Sequence, residues 1–418
     1  MTPFIEETAE TVETIPPGRG GFLGGVGVAA LASGPVCAAA MLTVVIPILP
    51  NITAHLSVIG GKVLSTQIFI ASPMLGLVVG GLLSTVLFGK ASPRTIFLIA
   101  IAVFGVTGAL GAFLTDGALI LSRIFMGVTA AVIGAASTAL IGERVSFKRR
   151  PQVLGWQMAA SSALAIILML ISGRLSDRFG WRTSFLMFPA IAVTVIGLAL
   201  AFTPPSNAPR PSLTAGVKAQ VWPLLIKLWP IYLFVVLVNV TAFTTNSQAS
   251  YVLAGIGAKT ASARAQIMSL NQLMIVIAAI AFPYVRKLVG QRFLAVVIIT
   301  LMGCGMVWLG AASTPLMAIG ALAVLGSGNG LLFPYQSSML LTHAPAAVRG
   351  PAAGIMVSCQ FMADAVNPVM LAPLIASVGL QSTISMIGVL AIIAAVLTLI
   401  WRWFKPGGTR PMGRLQDA

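Results

Sequence analysis

Pro204-Pro205-Ser206-Asn207-Ala208-Pro209-Arg210-Pro211 interrupts an otherwise apolar chain of 418 residues close to its midpoint. Four prolines in eight residues cannot continue a helix, because each lacks an N–H and fixes its φ. With Lys218 beyond it, this is the only sustained polar run inside the chain. It predicts a linker over 204–222 between two stretches of similar length, 21–203 and 223–405.

On both sides of the linker the composition belongs to a bilayer. Hydrophobic residues make up 58% of the chain and charged residues 8%, with a mean hydropathy of +1.00. A water-soluble domain carries roughly a quarter charged residues, so a soluble enzyme is excluded. A spanning helix needs about 20 mostly apolar residues. Apolar runs predict six spans before the linker, near 24–49, 63–88, 95–114, 119–141, 152–172 and 183–203. Six more follow it, near 224–250, 263–288, 293–312, 315–341, 350–376 and 380–404. The fold class is therefore an all-α integral membrane protein of twelve transmembrane helices.

The net charge of +16 does not signal a nucleic-acid partner, because the cations flank apolar runs instead of forming one block. Of 25 Lys and Arg, six (Lys62, Arg174, Arg178, Arg182, Lys259 and Arg264) fall on the side opposite the linker, and Arg123 lies within a span. The other 18 share the linker's side. Positive loops stay inside, so both termini are expected in the cytoplasm of a cell with a multi-pass inner (plasma) membrane. Residues 1–20, with Glu6, Glu7, Glu10 and Glu13, lack the basic region and short apolar core of a secretory signal. They read as a disordered cytoplasmic tail, and 406–418 as a second tail. Cys37, Cys304 and Cys359 all fall in apolar segments, so no disulfide framework is expected. Two histidines, His55 and His343, are too few for a histidine-built metal site. No phosphate-cradling Gly-x-x-x-x-Gly-Lys-Ser/Thr loop occurs, and no cofactor is expected.

Loop features recur about 200 residues apart. Ser92-Pro93-Arg94 after span 2 corresponds to Val289-Gly290-Gln291-Arg292 after span 8, and Gly180 after span 5 to Gly379 after span 11. The shared offset predicts a duplicated six-helix bundle.

Four local patterns then resemble the major facilitator superfamily. Span 1 ends in Ile46-Pro47-Ile48-Leu49-Pro50, like the proline-rich exit of the family's efflux branches. Span 4 opens with Leu121-Ser122-Arg123-Ile124-Phe125-Met126-Gly127, similar to the family's arginine motif. Gly180-Trp181-Arg182-Thr183-Ser184-Phe185 is similar to its Gly-Trp-Arg-x-x-Phe signature, and Val348-Arg349-Gly350-Pro351-Ala352-Ala353-Gly354 introduces span 11 in the typical way. The resemblance implies two pseudo-symmetric bundles, with helices 1, 4, 7 and 10 around a central cavity. It also has gaps. The aspartate of the usual Gly-x-Leu-Ala-Asp-Arg loop is Thr85 here and Lys287 in the second copy, and Leu168-Met169 stand where drug antiporters carry Gly-Pro. The run Gly173-Arg174-Leu175-Ser176-Asp177-Arg178 resembles the missing motif better, but taking it as the cytoplasmic loop inverts the charge count.

Charges inside spans cost several kcal/mol and mark function by default. Asp364 is the one acid well inside a span, with Gln360 and Asn367 on the same helical face. Desolvation favours the neutral form of a buried acid, which suits this group to carrying a proton between sides. The competing reading is a structural bond to span 2 through Gln67. Arg123 is expected either to bind an anionic group and tune coupling or to cap carbonyls of span 1. For the substrate, polar stripes nominate Asn239 and Asn246 in span 7, Asn329, Phe333 and Gln336 in span 10, Gln360 in span 11 and Gln157 in span 5. Gln157, Ser161, Gln266, Asn271 and Gln272 are expected to meet between the halves. The cluster Gly326-Ser327-Gly328-Asn329-Gly330 permits either local unwinding or close helix packing.

These features predict a monomeric secondary transporter that moves a small organic solute by alternating access, with protons as the coupling partner and efflux as the working direction. One arginine, one acid and several amides suit neutral, zwitterionic or anionic solutes. The alternatives are uptake of a metabolite or organic anion, and a transport-dead receptor or scaffold. An intramembrane enzyme lacks its His-Glu-x-x-His or paired aspartates.

Overall fold

The computed structural model describes residues 34–55, 62–88, 91–144, 150–202, 226–291, 293–344 and 349–404. The tails, the linker, the opening of span 1 and Lys148-Arg149 lie outside the described residues.

Twelve helical spans follow in chain order, with no strand among the described residues. In the first half these are α1 (Gly34–Thr43), α2 (Lys62–Leu87), α3 (Pro93–Leu110), α4 (Asp116–Arg144), α5 (Arg150–Phe179) and α6 (Met187–Phe202). In the second they are α7 (Trp229–Gly255), α8 (Ala261–Val289), α9 (Leu294–Gly310), α10 (Pro315–His343), α11 (Arg349–Val378) and α12 (Leu380–Phe404). A 3-10 turn at Ile46–Ile48 and one helical turn at Leu49–Thr53 prolong α1, and a second 3-10 turn at Trp181–Leu186 opens α6. Eleven spans are long and apolar enough to cross a membrane; α9, with 17 residues, is about 25 Å long. Large apolar side chains cover the outside, as at Leu316 (77% exposed) and Ile280 (70%), a surface that fits lipid and not water.

Local chemistry sets the helix ends. Ser92, Thr260 and Thr314 accept the N–H groups of Thr95, Ala263 and Met317 at the starts of α3, α8 and α10. Pro93 and Pro315 occupy first-turn positions where no N–H is needed. Gly180 (φ 88°) and Gly379 (φ 86°) end α5 and α11 in the left-handed region, at the positions matched by the sequence repeat. One expectation is corrected, and one pair of alternatives is decided. α5 does not stop at 172 but runs to Phe179, because polar Arg174, Ser176 and Asp177 end the apolar run without ending the helix. α10 is unbroken across Gly326–Gly330, so those glycines serve packing and not unwinding.

The halves repeat each other's packing: α2 lies on α4 as α8 lies on α10, and α3 on α6 as α9 on α12. The α2–α4 crossing is backbone on backbone. A Cβ at Gly76 would strike the Ile124 carbonyl, one at Gly80 the Val128 carbonyl, and one at Gly127 the Pro73 carbonyl. In the second half Gly326 and Gly330 meet the Asn271 and Ile275 carbonyls in the same way. Small residues at such seams let helices approach in lipid, where apolar burial drives little. Gly127→Leu is expected to abolish the monodisperse peak in size-exclusion chromatography of detergent-extracted protein. Gly127→Ala should keep the peak at a cost of about 1–3 kcal/mol.

The core is shared at one end only. A single cluster joins the first half to the second half's residues farthest from the linker, such as Val252, Ala261, Leu309 and Leu322. Toward the linker the second half has two clusters of its own, around Phe282 and Tyr335 and around Val235 and Met356. The two bundles are thus fastened at the end opposite the linker, which we call the loop end.

Candidate functional site

The loop-end fastening starts from the two prolines that close span 1. Pro47 and Pro50 have no N–H to give, and α1 tightens before them: Val45 donates to Leu42 and Ile48 to Val45. The carbonyls of Met41 and Val44 therefore turn outward. Arg123 of α4 donates Nη2–H to Met41 at 2.8 Å, and Ser172 of α5 donates to Val44 at 2.5 Å. Pro47 carbonyl accepts Nε–H of Arg264 from α8 at 2.8 Å. Three donors on three helices thus hold one bent segment.

Arg264 is 1% exposed and ties the halves through Pro47 and Asn51. Its other nitrogens donate to Asn51 Oδ1 at 2.7 Å and to the Ala258 and Lys259 carbonyls at 3.1 and 2.8 Å. Beside it, Asp177 of α5 accepts the first N–H groups of α8, from Ala261 at 2.8 Å and Ser262 at 2.9 Å. A carboxylate at a helix N-terminus meets orphan donors and the positive end of the dipole. Gly173, one turn earlier on α5, lets the helices touch at Ala261 and Ala265. Gln248 of α7 donates to Gln67 of α2 at 2.8 Å, and Tyr251 to Thr53 at 3.3 Å. All these bonds between halves lie at the loop end.

Sequence reading placed Arg264 and Asp177 among loop charges. The signals were present: Arg264 falls inside the expected span 263–288, and Asp177 sits in the Gly-x-Leu-x-Asp-Arg run. Gln67 was offered as a partner for Asp364; it pairs with Gln248 instead.

Arg123 and Asn246 come together. Both line a slot bounded by Leu42, Val45, Ile46, Leu49, Phe69, Ile70, Pro73, Phe243 and Ser247. The Arg123 guanidinium is buried, with Nη1 against Met126 sulfur at 3.2 Å, its carbon 6.0 Å from the Phe69 ring centre, and Nε without a partner. Arg123 is therefore both a cap on span 1 and a wall of the slot.

The remaining nominated residues disperse. Asn239 donates to its own helix at Val235 (2.7 Å), which satisfies an amide without any cavity. Gln336, fully buried, accepts from Gln360 at 2.8 Å and so clasps α10 to α11. Gln157 donates to Ser137 at 3.0 Å and clasps α5 to α4 within the first half, not across the halves. Asn271 likewise packs on Gly326 inside the second half. Asn329 is half-buried with both amide atoms unpartnered, and Phe333 is 47% exposed one turn farther along α10. Asp364 is half-buried, and no hydrogen bond or ion pair reaches it among the described residues. Its neighbour Asn367 donates to Val240 carbonyl and Thr244 hydroxyl of α7, both at 2.7 Å.

The arrangement matches known folds. A D-xylose-proton symporter superposes with a TM-score of 0.73 at 16% identity, covering 89% of this chain and 96% of that one. The nucleoside transporter NupG gives 0.71 at 13% identity, covering 92% of this chain and all 100% of its own. At such identities the likeness is one of fold. A probable sugar efflux transporter of Mannheimia succiniciproducens is 28% identical over 188 residues, 44% of this chain and 46% of that protein. The MFS-type transporter ungB of Aspergillus violaceofuscus is 29% identical over 125 residues, 29% of this chain and 22% of that protein. The chain thus spans less than half the length of these relatives. The profile of the Major Facilitator Superfamily matches residues 31–368, the span that holds the proline-closed α1, both glycine seams and the loop-end fastening, and the chain belongs to that family.

Proposed function

We propose that the chain is a secondary active transporter that moves a small organic solute by alternating access, with proton-coupled efflux as its working mode. The observation that carries this reading is the fastening of two repeated bundles at one end only, with separate cores toward the linker. Two packed bodies joined at one edge can rock between two arrangements. With the termini in the cytoplasm, the fastened end faces outward and the arrangement is inward-facing. Asp364 supplies the proton site, and Arg123 with Asn246 the cargo's polar contacts. The likeness to a probable sugar efflux transporter of Mannheimia supports the outward direction.

Reconstitution into liposomes tests the proposal. An imposed pH gradient is expected to drive radiolabelled organic solutes against their concentration, and a protonophore to abolish the drive. Absence of solute movement under every imposed gradient would favour a receptor or scaffold.

A further inference from the structure

Among the described residues Arg123 is a cation without a counter-charge. Its guanidinium is 2% exposed, and among the described residues it meets one carbonyl, one thioether and one aromatic face, with no carboxylate. Arginine stays charged in proteins, and buried charges are ordinarily paired. Nε is buried without an acceptor. The adjoining slot measures about 20 Å³, room for one water-sized group. Around it stand Leu42, Phe69, Ile70 and Phe243, with Asn246 as a second polar contact. One oxygen of an anionic head fits the slot, and an apolar body extends from its open side against these walls. A phosphate, with more charge and more oxygens to hydrate, fits neither.

We infer that the slot beside Arg123 receives the carboxylate of the carried solute, a small monocarboxylate with an apolar body. Naming that ligand the cargo rests on the transport reading, whereas the binding itself does not.

Benzoate and its neutral isostere benzamide are the probes, titrated calorimetrically into the purified full chain in detergent at matched ionic strength and without any gradient. The parent is expected to bind benzoate about tenfold or more tightly than benzamide, as a charge-assisted bond implies. Arg123→Gln should erase that preference, and Arg123→Lys should keep it at lower affinity. Equal binding of the two probes by the parent overturns the inference, and this result needs no variant to fold. A preference that survives in folded Arg123→Gln protein overturns it as well. Selective benzoate binding with no flux in liposomes sinks the transport reading alone; transport by a parent with no preference sinks this site alone.

Discussion

Arg264→Ala should open or unfold the loop end. The side chain donates to Pro47, Ala258 and Lys259 carbonyls and to Asn51, and it is 1% exposed. Alanine leaves those acceptors unpaired, with Pro47 and Ala258 buried, and each lost bond to a charged donor is worth about 1.5–3 kcal/mol. They share one network, so the losses do not simply add. A total of about 3–5 kcal/mol is expected, the scale seen when one member of a buried charged network is removed. In a thermal melt of detergent-solubilised protein the midpoint should fall by about 3–6 °C. If the fold survives, a bifunctional thiol reagent placed across Thr53 and Tyr251 as paired cysteines should cross-link less. Asp177→Asn is the milder partner experiment. Its carboxylate is solvent-exposed and caps a helix, a contribution of about 1 kcal/mol. A melt of Arg264→Ala within about 2 °C of the parent would deny Arg264 its place as a tie between the halves.

Asp364→Asn should uncouple transport from the proton gradient. Asp364 stands one helical turn from each of two clasps, Gln360 to Gln336 and Asn367 to Thr244. Its neighbours spend their polar groups on adjacent helices while the carboxylate makes no bond among the described residues. An isosteric amide keeps the packing and cannot release a proton. Gradient-driven flux in liposomes should fall by about tenfold or more, while exchange of labelled for unlabelled solute without a gradient persists, since the amide imitates the protonated acid. Equal gradient-driven flux in both proteins would move the proton site elsewhere.

Much of the fold was legible because lipid imposes a simple rule: spans must be apolar and about 20 residues long. Pro204–Pro211 divided the halves, and Gly180 and Gly379 betrayed the repeat. The ends of spans were harder, as α5 shows, because hydropathy marks where apolar side chains stop and not where backbone bonding stops. Amide stripes were the least legible. Helical spacing told that Gln360, Asp364 and Asn367 share a face, but not that the two amides reach different helices. Asn239 satisfied itself on its own backbone, an option that spacing does not exclude. Arg123 was the reverse case. It was written with two alternatives, a site for an anionic group and coupling or a cap on span 1; the cap is observed at Met41, and the other stands as the proposal above.

The bent end of α1 has a consequence for how the chain tolerates change. Its adhesive groups are peptide oxygens at 41, 44 and 47, the first two left free because Val45 and Ile48 donate three residues back, and all three gripped by neighbouring helices. Any residue of suitable bulk at 41 or 44 presents the same oxygen, so identity there is a matter of volume. At 47 it is not, since an N–H there would offer the Thr43 carbonyl a donor and favour regular α-turns, in which Val45 and Ile48 take up the 41 and 44 carbonyls.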